Sequence, residues 1–303
     1  YGHIYRCIRI AELLKKKQNI FFFSYNYSAL KIIQINNFNA SFIKKIDTIK
    51  NFDCVIIDKL DNTNNFLKKI SKFNNKLISI DDRNQFKSNN LKKINFLYFP
   101  KTYNKKKIIN NLKYHIPFNK IPINKYNKKI KKIAIMQGGS DPHKNLSRIY
   151  QAIKKTILIE KKIIFHFHLG IRKSNDKMLK YFLGKKKIHS NLQVSYNLKD
   201  IYKVIKNCDL AITACGISAL DLICSKVPSI YVSNENKELH TSKIFDKLNL
   251  GIYYGKITIK NQNMLRYNLN NLLKNSKIRL EIYKSMKKLS FKNSKNNLIK
   301  LIK

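Results

Sequence analysis

Acidic residues are scarce in this chain. Only 17 Asp and Glu stand against 62 Lys and Arg in 303 residues, a formal net charge of +45. No run approaches the ~18 to 20 apolar residues that cross a bilayer as a helix. The longest apolar stretches are strand-sized, such as Ile20–Phe23 and Val55–Ile57. C-x-x-C pairs are absent. The five cysteines, Cys7, Cys54, Cys208, Cys215 and Cys224, are odd in number and lie in or beside apolar runs. That pattern reads as free, buried thiols of a cytoplasmic protein rather than disulfides or a metal site. Repeats of 20–50 residues are missing, as is an aromatic-basic recognition motif, so no specific nucleic-acid partner is expected.

The lysine excess travels with Asn, Ile, Tyr and Phe along the whole chain and forms no localised patch. All five residue types have codons rich in A and T, so the base composition of the gene is a sufficient cause. Such a charge still attracts polyanions weakly, nucleotides and anionic membrane head groups included. The hydrophobic fraction of 44% suffices for packed cores, and the length suits two ordinary domains. The chain opens on Tyr1, almost inside a motif, and a first strand is expected upstream of it.

Strand-like and helix-like segments alternate. Residues 4–17 read as a helix, Asn19–Ser24 as a strand, Tyr27–Ile35 as a helix and Asp53–Asp58 as a strand. A helix over Asn62–Phe73, a strand over Lys76–Ile80 and a strand at Asn95–Phe99 follow. Pro117, Pro122 and a Lys/Asn-rich stretch then break the pattern. It restarts with the strand Ile130–Met136 and a helix whose apolar face is Leu146, Ile149, Tyr150, Ile153 and Ile157. Further strands are expected at Ile163–Leu169, Leu192–Ser195, Asp209–Ala214 and Pro228–Val232, and helices at Asn175–Phe182, Asp200–Ile205, Ile217–Cys224, Thr241–Leu248 and 262–290. This alternation predicts an α/β protein of two doubly wound, Rossmann-like domains facing a cleft. Their expected bounds are 1–115 and 130–303, joined by a linker at 116–129, with helices closing the second domain.

Two glycine turns carry the functional signal. Gly138-Gly139-Ser140-Asp141-Pro142 follows Ile133–Met136, and Gly216-Ile217-Ser218 follows Leu210–Ala214 ahead of an apolar helix containing Asp221. Glycine lets the backbone approach a ligand closely, and a helix N-terminus favours phosphate. Two such turns in one α/β domain predict a nucleotide diphosphate. Ser140 or Asp141 as N-cap with Pro142 in the first turn describes the first site equally well. Asp221 shares a helix face with Ser218 and suits ribose hydroxyls.

His3, just before the first helix, is placed to act as a general base or merely to cap that helix. Glu235, Glu238, His240 and Thr241 form a polar cluster that orients sugar hydroxyls or starts the next helix. Asp58, Asp61, Asp81 and Asp82 gather at strand ends without a spacing diagnostic of a cation, and no metal and no cofactor are expected. His166 and His168 share one strand face and read as packing. His115, His143 and His189 lie in loops.

The segment GHIYRCIRIAELL resembles the G-H-x-x-R-x-x-x-L-A signature of the UDP-sugar hydrolase of pseudaminic acid biosynthesis and of related spore-coat polysaccharide proteins. LISIDDRNQ resembles that family's strand ending in Asp-Asp. IAIMQGGSDPHKNL and CDLAITACGISALDLICSKVPSIYV resemble its two nucleotide-binding segments, and the latter also resembles the C-terminal domain of the lipid-II-forming N-acetylglucosaminyl transferase. The matches run from Gly2 to about Gly255. This resemblance implies a metal-independent GT-B enzyme acting on a UDP-sugar. His3 would activate water against C1, while Gly138, Gly139, Ser140, Gly216, Ile217, Ser218 and Asp221 hold the nucleotide. Arg6, Glu238, His240 and Thr241 would contact the sugar. A GT-B glycosyltransferase of surface polysaccharide synthesis is the alternative. Asp221 stands where the family has Glu, Asp58-Lys59-Leu60 where the hydrolase has Asp-His-Tyr, and Glu235-Asn236-Lys237-Glu238 where it has Glu-Asn-Gln.

Overall fold

The computed structural model describes residues 2–101, 103–117, 122–139, 141–170, 175–198 and 201–302. The chain divides into two compact units, Tyr1–Ile116 with Ser290–Lys303 (unit 1) and Pro117–Leu289 (unit 2).

Unit 1 contains α1 (Gly2–Leu14), β1 (Phe21–Ser24), α2 (Tyr27–Ile35), β2 (Asn39–Phe42), β3 (Val55–Ile57), α3 (Asn64–Phe73), β4 (Leu77–Ile80), β5 (Leu91–Ile94) and α4 (Lys105–Leu112). β1 pairs in parallel with β2 alone, and β3, β4 and β5 form a separate parallel sheet. Side-chain caps set the helix starts. Asn26 accepts from the Ser28 and Ala29 N–H groups ahead of α2, and Thr63 accepts from Phe66 N ahead of α3. Ile8 and Ala11 of α1 pack with Ile33 of α2 and Phe38, while Phe66, Leu67 and Ile70 of α3 pack on Ile57 and Leu77.

Unit 2 contains β6 (Lys132–Met136), α5 (Asn145–Ile159), β7 (Ile164–Leu169), α6 (Asn175–Ile188), β8 (Leu192–Tyr196), α7 (Tyr202–Ile205), β9 (Leu210–Thr213), α8 (Ile217–Cys224), β10 (Ser229–Val232), α9 (Asn236–Lys247), β11 (Ile252–Gly255), α10 (Gln262–Lys274) and α11 (Ser276–Lys287). Its six strands are all parallel, in the order β11-β10-β9-β6-β7-β8. Counted from the unit's own first strand this is 6-5-4-1-2-3, the doubly wound order. Helices cover both faces. Ile133 and Ile135 of β6 enter one core with α5, α6 and α10, and Ala134 and Met136 enter the other with Tyr202, Val204 and Leu222.

Several expectations change. Asn95–Phe99 is not a strand, because its backbone N–H groups turn towards Asp81; the strand lies just before it, at Leu91–Ile94. α9 begins at Asn236 rather than Thr241. Residues 122–129 of the expected linker are anchored to unit 2: Asn124 N donates to Ser225 O at 3.0 Å and Tyr126 Oη to Ser276 O at 2.7 Å. A last helix, α12 (Ser294–Ile302), belongs with unit 1, where Lys76 Nζ donates to Ile302 O at 3.1 Å. Among the described residues no helix is long and apolar enough to cross a membrane.

Candidate functional site

Each unit gathers a polar cluster where its parallel strands end. In unit 1 the cluster is made of side chains. His3 and Arg6 stand three residues apart on the first turns of α1, and Asp58 and Asp81 directly follow β3 and β4. His3 Nδ1 lies 2.5 Å from Asp58 Oδ1. Arg6 grips the same carboxylate in a fork, Nε to Oδ2 at 2.7 Å and Nη2 to Oδ1 at 2.6 Å, and its Nη1 donates to Asp81. Asp81 Oδ1 also accepts from the N–H groups of Phe96, Leu97 and Tyr98. Burial works against the Asp58 charge. The Arg6 guanidinium and the hydrogen bonds from Arg6 and His3 outweigh that penalty and hold the carboxyl well below the usual range. Arg6 is held charged in the same way, against its burial, by Asp58 and then Asp81.

A proton on His3 Nδ1 donates to the Asp58 carboxylate, and in that tautomer Nε2 is the nitrogen left to accept. The His3 side chain is 39% exposed whereas that of Asp58 is 2% exposed. The imidazole can therefore meet a substrate while the carboxylate orients it. Arg6 was expected at the sugar. It is instead buried and saturated by two carboxylates, which makes it a positioning residue. The other two acids of this group do other work. Asp82 clamps Asn62, Ser79 and Asn84, and Asp61 pairs with Arg83.

In unit 2 the cluster is largely backbone. β6 and β9 pair directly, Met136 opposite Thr213, at the point where the strand order reverses. The Gly138 and Gly216 turns therefore leave neighbouring strand ends, the place where doubly wound sheets bind ligands. Ser140 lies outside the described residues. Gly138 takes φ +70°, a left-handed conformation that favours glycine. Asp141 accepts from Asn145 N at 2.7 Å and Leu146 N at 3.0 Å, so a protein carboxylate already fills the first N–H groups of α5. Helix α5 starts at Asn145, which leaves Pro142 ahead of it rather than in its first turn. The N-terminus of α8 differs, since its N-cap is Gly216, which has no side chain to cap it. Gly216, Ile217 and Ser218 are partly accessible, whereas Asp221, one turn further on, is 1% exposed.

A hydrogen-bonded bridge runs between the two turns. Asn145, bonded to Asp141, donates through Nδ2 to Asn234 Oδ1 at 2.9 Å, and Asn234 N donates to Glu238 Oε2 at 2.6 Å. Glu238 in turn faces Gly216. Thr241 is buried on the Glu238 side of α9, and His240 is on the exposed side. The structure thus brings Glu238, not His240, to the glycine turn. Sequence reasoning missed Gln137, which sits between β6 and Gly138 at 1% exposure with neither end of its amide partnered among the described residues. A buried amide left so is costly, and its place beside a glycine turn was the available signal. His166 and His168 both meet Ser195 Oγ, and burial pushes each imidazole down to about 4, so they stay neutral structural groups.

No protein-family model matches the chain. It is 24% identical over 157 residues to the spore coat polysaccharide biosynthesis protein SpsG of Bacillus subtilis (strain 168), a match that takes in 52% of this chain and 45% of that protein. The match thus spans less than half the length of that relative. Spinosyn rhamnosyltransferase SpnG, solved with thymidine diphosphate, is similar in structure with a TM-score of 0.68 at 7% identity, over 100% of this chain and 98% of that one. MnaA of S. aureus, solved with UDP, gives a TM-score of 0.63 at 9% identity, over 99% and 92%. The chain therefore has the α/β fold of the GT-B glycosyltransferases.

Proposed function

We propose that this protein is a glycosyltransferase-like enzyme of polysaccharide biosynthesis that uses a nucleotide-sugar, with UDP as its nucleotide diphosphate. The observation that carries the reading is the pair of glycine turns at the strand-order reversal of unit 2, one of them opening the uncapped helix α8. Backbone N–H groups at Gly216–Ser218 grip the diphosphate and take up the charge that develops on it. His3 is the proposed base. His3 Nε2 removes the proton of the attacking hydroxyl as its oxygen bonds to the anomeric carbon, and the bond from that carbon to the phosphate oxygen breaks with its electron pair leaving on UDP. Asp58 stabilises the imidazolium, and Arg6 holds Asp58. The relatives that bear on this reading are a polysaccharide-biosynthesis protein and a rhamnosyltransferase holding thymidine diphosphate.

UDP release from a panel of UDP-sugars, measured with and without saccharide acceptors, tests it. Release that depends on an acceptor is the expected outcome. Release into water alone would restore the hydrolase reading carried by Gly2-His3 and Arg6. The absence of both UDP binding and turnover would remove the assignment.

A further inference from the structure

The bridge between the glycine turns ends on a carboxyl group, an unexpected neighbour for a diphosphate. Glu238 is 9% exposed, and one oxygen, Oε2, accepts from Asn234 N at 2.6 Å. The other faces the Gly216 turn: a Cβ built on Gly216 would meet Oε1 at 3.9 Å and nothing else within 4 Å. An anion on the α8 N-terminus therefore shares that turn with a buried carboxyl. Two negative charges in one desolvated place oppose each other. A carboxylic acid there donates instead.

We infer that Glu238 acts as a proton-carrying ligand group: binding of the nucleotide diphosphate at the Gly216 turn takes up one proton from solvent onto Oε1, whose O–H then donates to a ligand oxygen. This deepens the reading above and rests on it. Oε2, already accepting an N–H, stays bare. Burial pushes the free carboxyl up to about 7; the Asn234 N–H, the Glu235 N–H and Lys237 oppose this, and the Glu235 charge reinforces it. The other titratable group facing it is the Cys215 thiol at the end of β9. Burial and then Glu238 itself push that thiol well above its ordinary value, so it stays neutral near pH 7. Asp141 reaches the carboxyl only through Asn145 and Asn234.

Calorimetric titration of the full chain with UDP between pH 6.5 and 9 tests the inference. Affinity is expected to be flat below about 7 and to weaken roughly eightfold from pH 7.5 to 8.5, because ligand-free Glu238 ionises and must be reprotonated. At pH 8 the binding heat should vary with the ionisation enthalpy of the buffer, giving an uptake close to one proton. Glu238→Gln should keep the affinity seen at pH 6.5 and lose both effects; Glu238→Ala, read in the same way, guards against a glutamine variant that does not fold. The terminal phosphate of free UDP titrates the same whichever protein is present, so the difference between proteins is what is read. An equal pH slope in the variants, or no proton uptake by the native chain, overturns the inference. Failure of UDP to bind any of them at any pH overturns the nucleotide reading, and this inference with it.

Discussion

Unit 2 and unit 1 follow one construction rule and complete it differently. In unit 2 the first strand, β6, pairs on both sides, and the six strands close into one sheet. In unit 1 the same succession, α1 to β1, α2 to β2, then β3, β4 and β5, leaves β1 and β3 each paired on one side only. Burial follows the pairing. All four residues of β9 are buried, but only Ile57 of β3 is, and Phe21 of β1 is exposed. Where unit 2 has a ladder, unit 1 has ions. Helix α1 packs on α2 through Ile8 and Ala11 and reaches the ends of β3 and β4 through Arg6, Asp58 and Asp81. The proposed chemistry divides in the same way, into backbone N–H groups in one unit and an imidazole with its carboxylate in the other.

Removing the ionic link should have the largest effect. Arg6→Met leaves two buried carboxylates without their partner, which costs about 3–5 kcal/mol. Hydrogen exchange should then accelerate through α1, β3 and β4 while β6 and β9 keep their protection. Equal loosening of both units would show that the link is not what holds unit 1 together. The catalytic version of the comparison comes next. His3→Ala should lower UDP release roughly a thousandfold, the scale of a lost general base, and leave UDP affinity nearly unchanged because the proposed nucleotide turns lie in unit 2 and His3 does not. Asp58→Asn should lower it too, through the tautomer. Affinity that collapses while turnover survives would reverse these roles.

What could be read from the sequence followed the same division. Helices α2 and α8 lie at the bounds that periodicity and capping residues predict, and the strands of unit 2 up to β10 emerge from apolar runs closed by turns. Strands β2 and β11 escaped notice because their apolar signal is weak: Asn39-Ala40-Ser41-Phe42 has one large apolar residue, and Ile252–Gly255 ends in glycine. Asn95–Phe99 misled because it is apolar and buried like a strand, yet its N–H groups go to a carboxylate rather than a neighbouring strand. Both glycine turns could be read because their signal is local. The pairing of His3 with Asp58 spans 55 residues and leaves no periodic trace. The only sequence hint was a few carboxylates collected at strand ends. Arg6 was misassigned for the same reason: its partners are set by the parallel order of β3 and β4, which no local pattern encodes.

The smallest expected effect isolates the nucleotide site from the packing beneath it. Gly170 and Gly216 both follow strands of unit 2. A Cβ on Gly170 would fall 2.3 Å from Gly139 O, so Gly170→Ala must displace the Gly138–Gly139 turn and should destabilise unit 2 by about 1–3 kcal/mol. A Cβ on Gly216 meets only Glu238 Oε1 at 3.9 Å, and its φ of −114° is outside the left-handed region. The packing thus asks little of position 216, and what a methyl there would obstruct is the proposed ligand. Gly216→Ala should leave stability within about 0.5 kcal/mol and weaken UDP roughly tenfold, the scale of one impaired charge-assisted hydrogen bond. Thermal unfolding and UDP titration of the two variants separate the effects. Unchanged UDP affinity in Gly216→Ala would mean that no phosphate comes close to that turn.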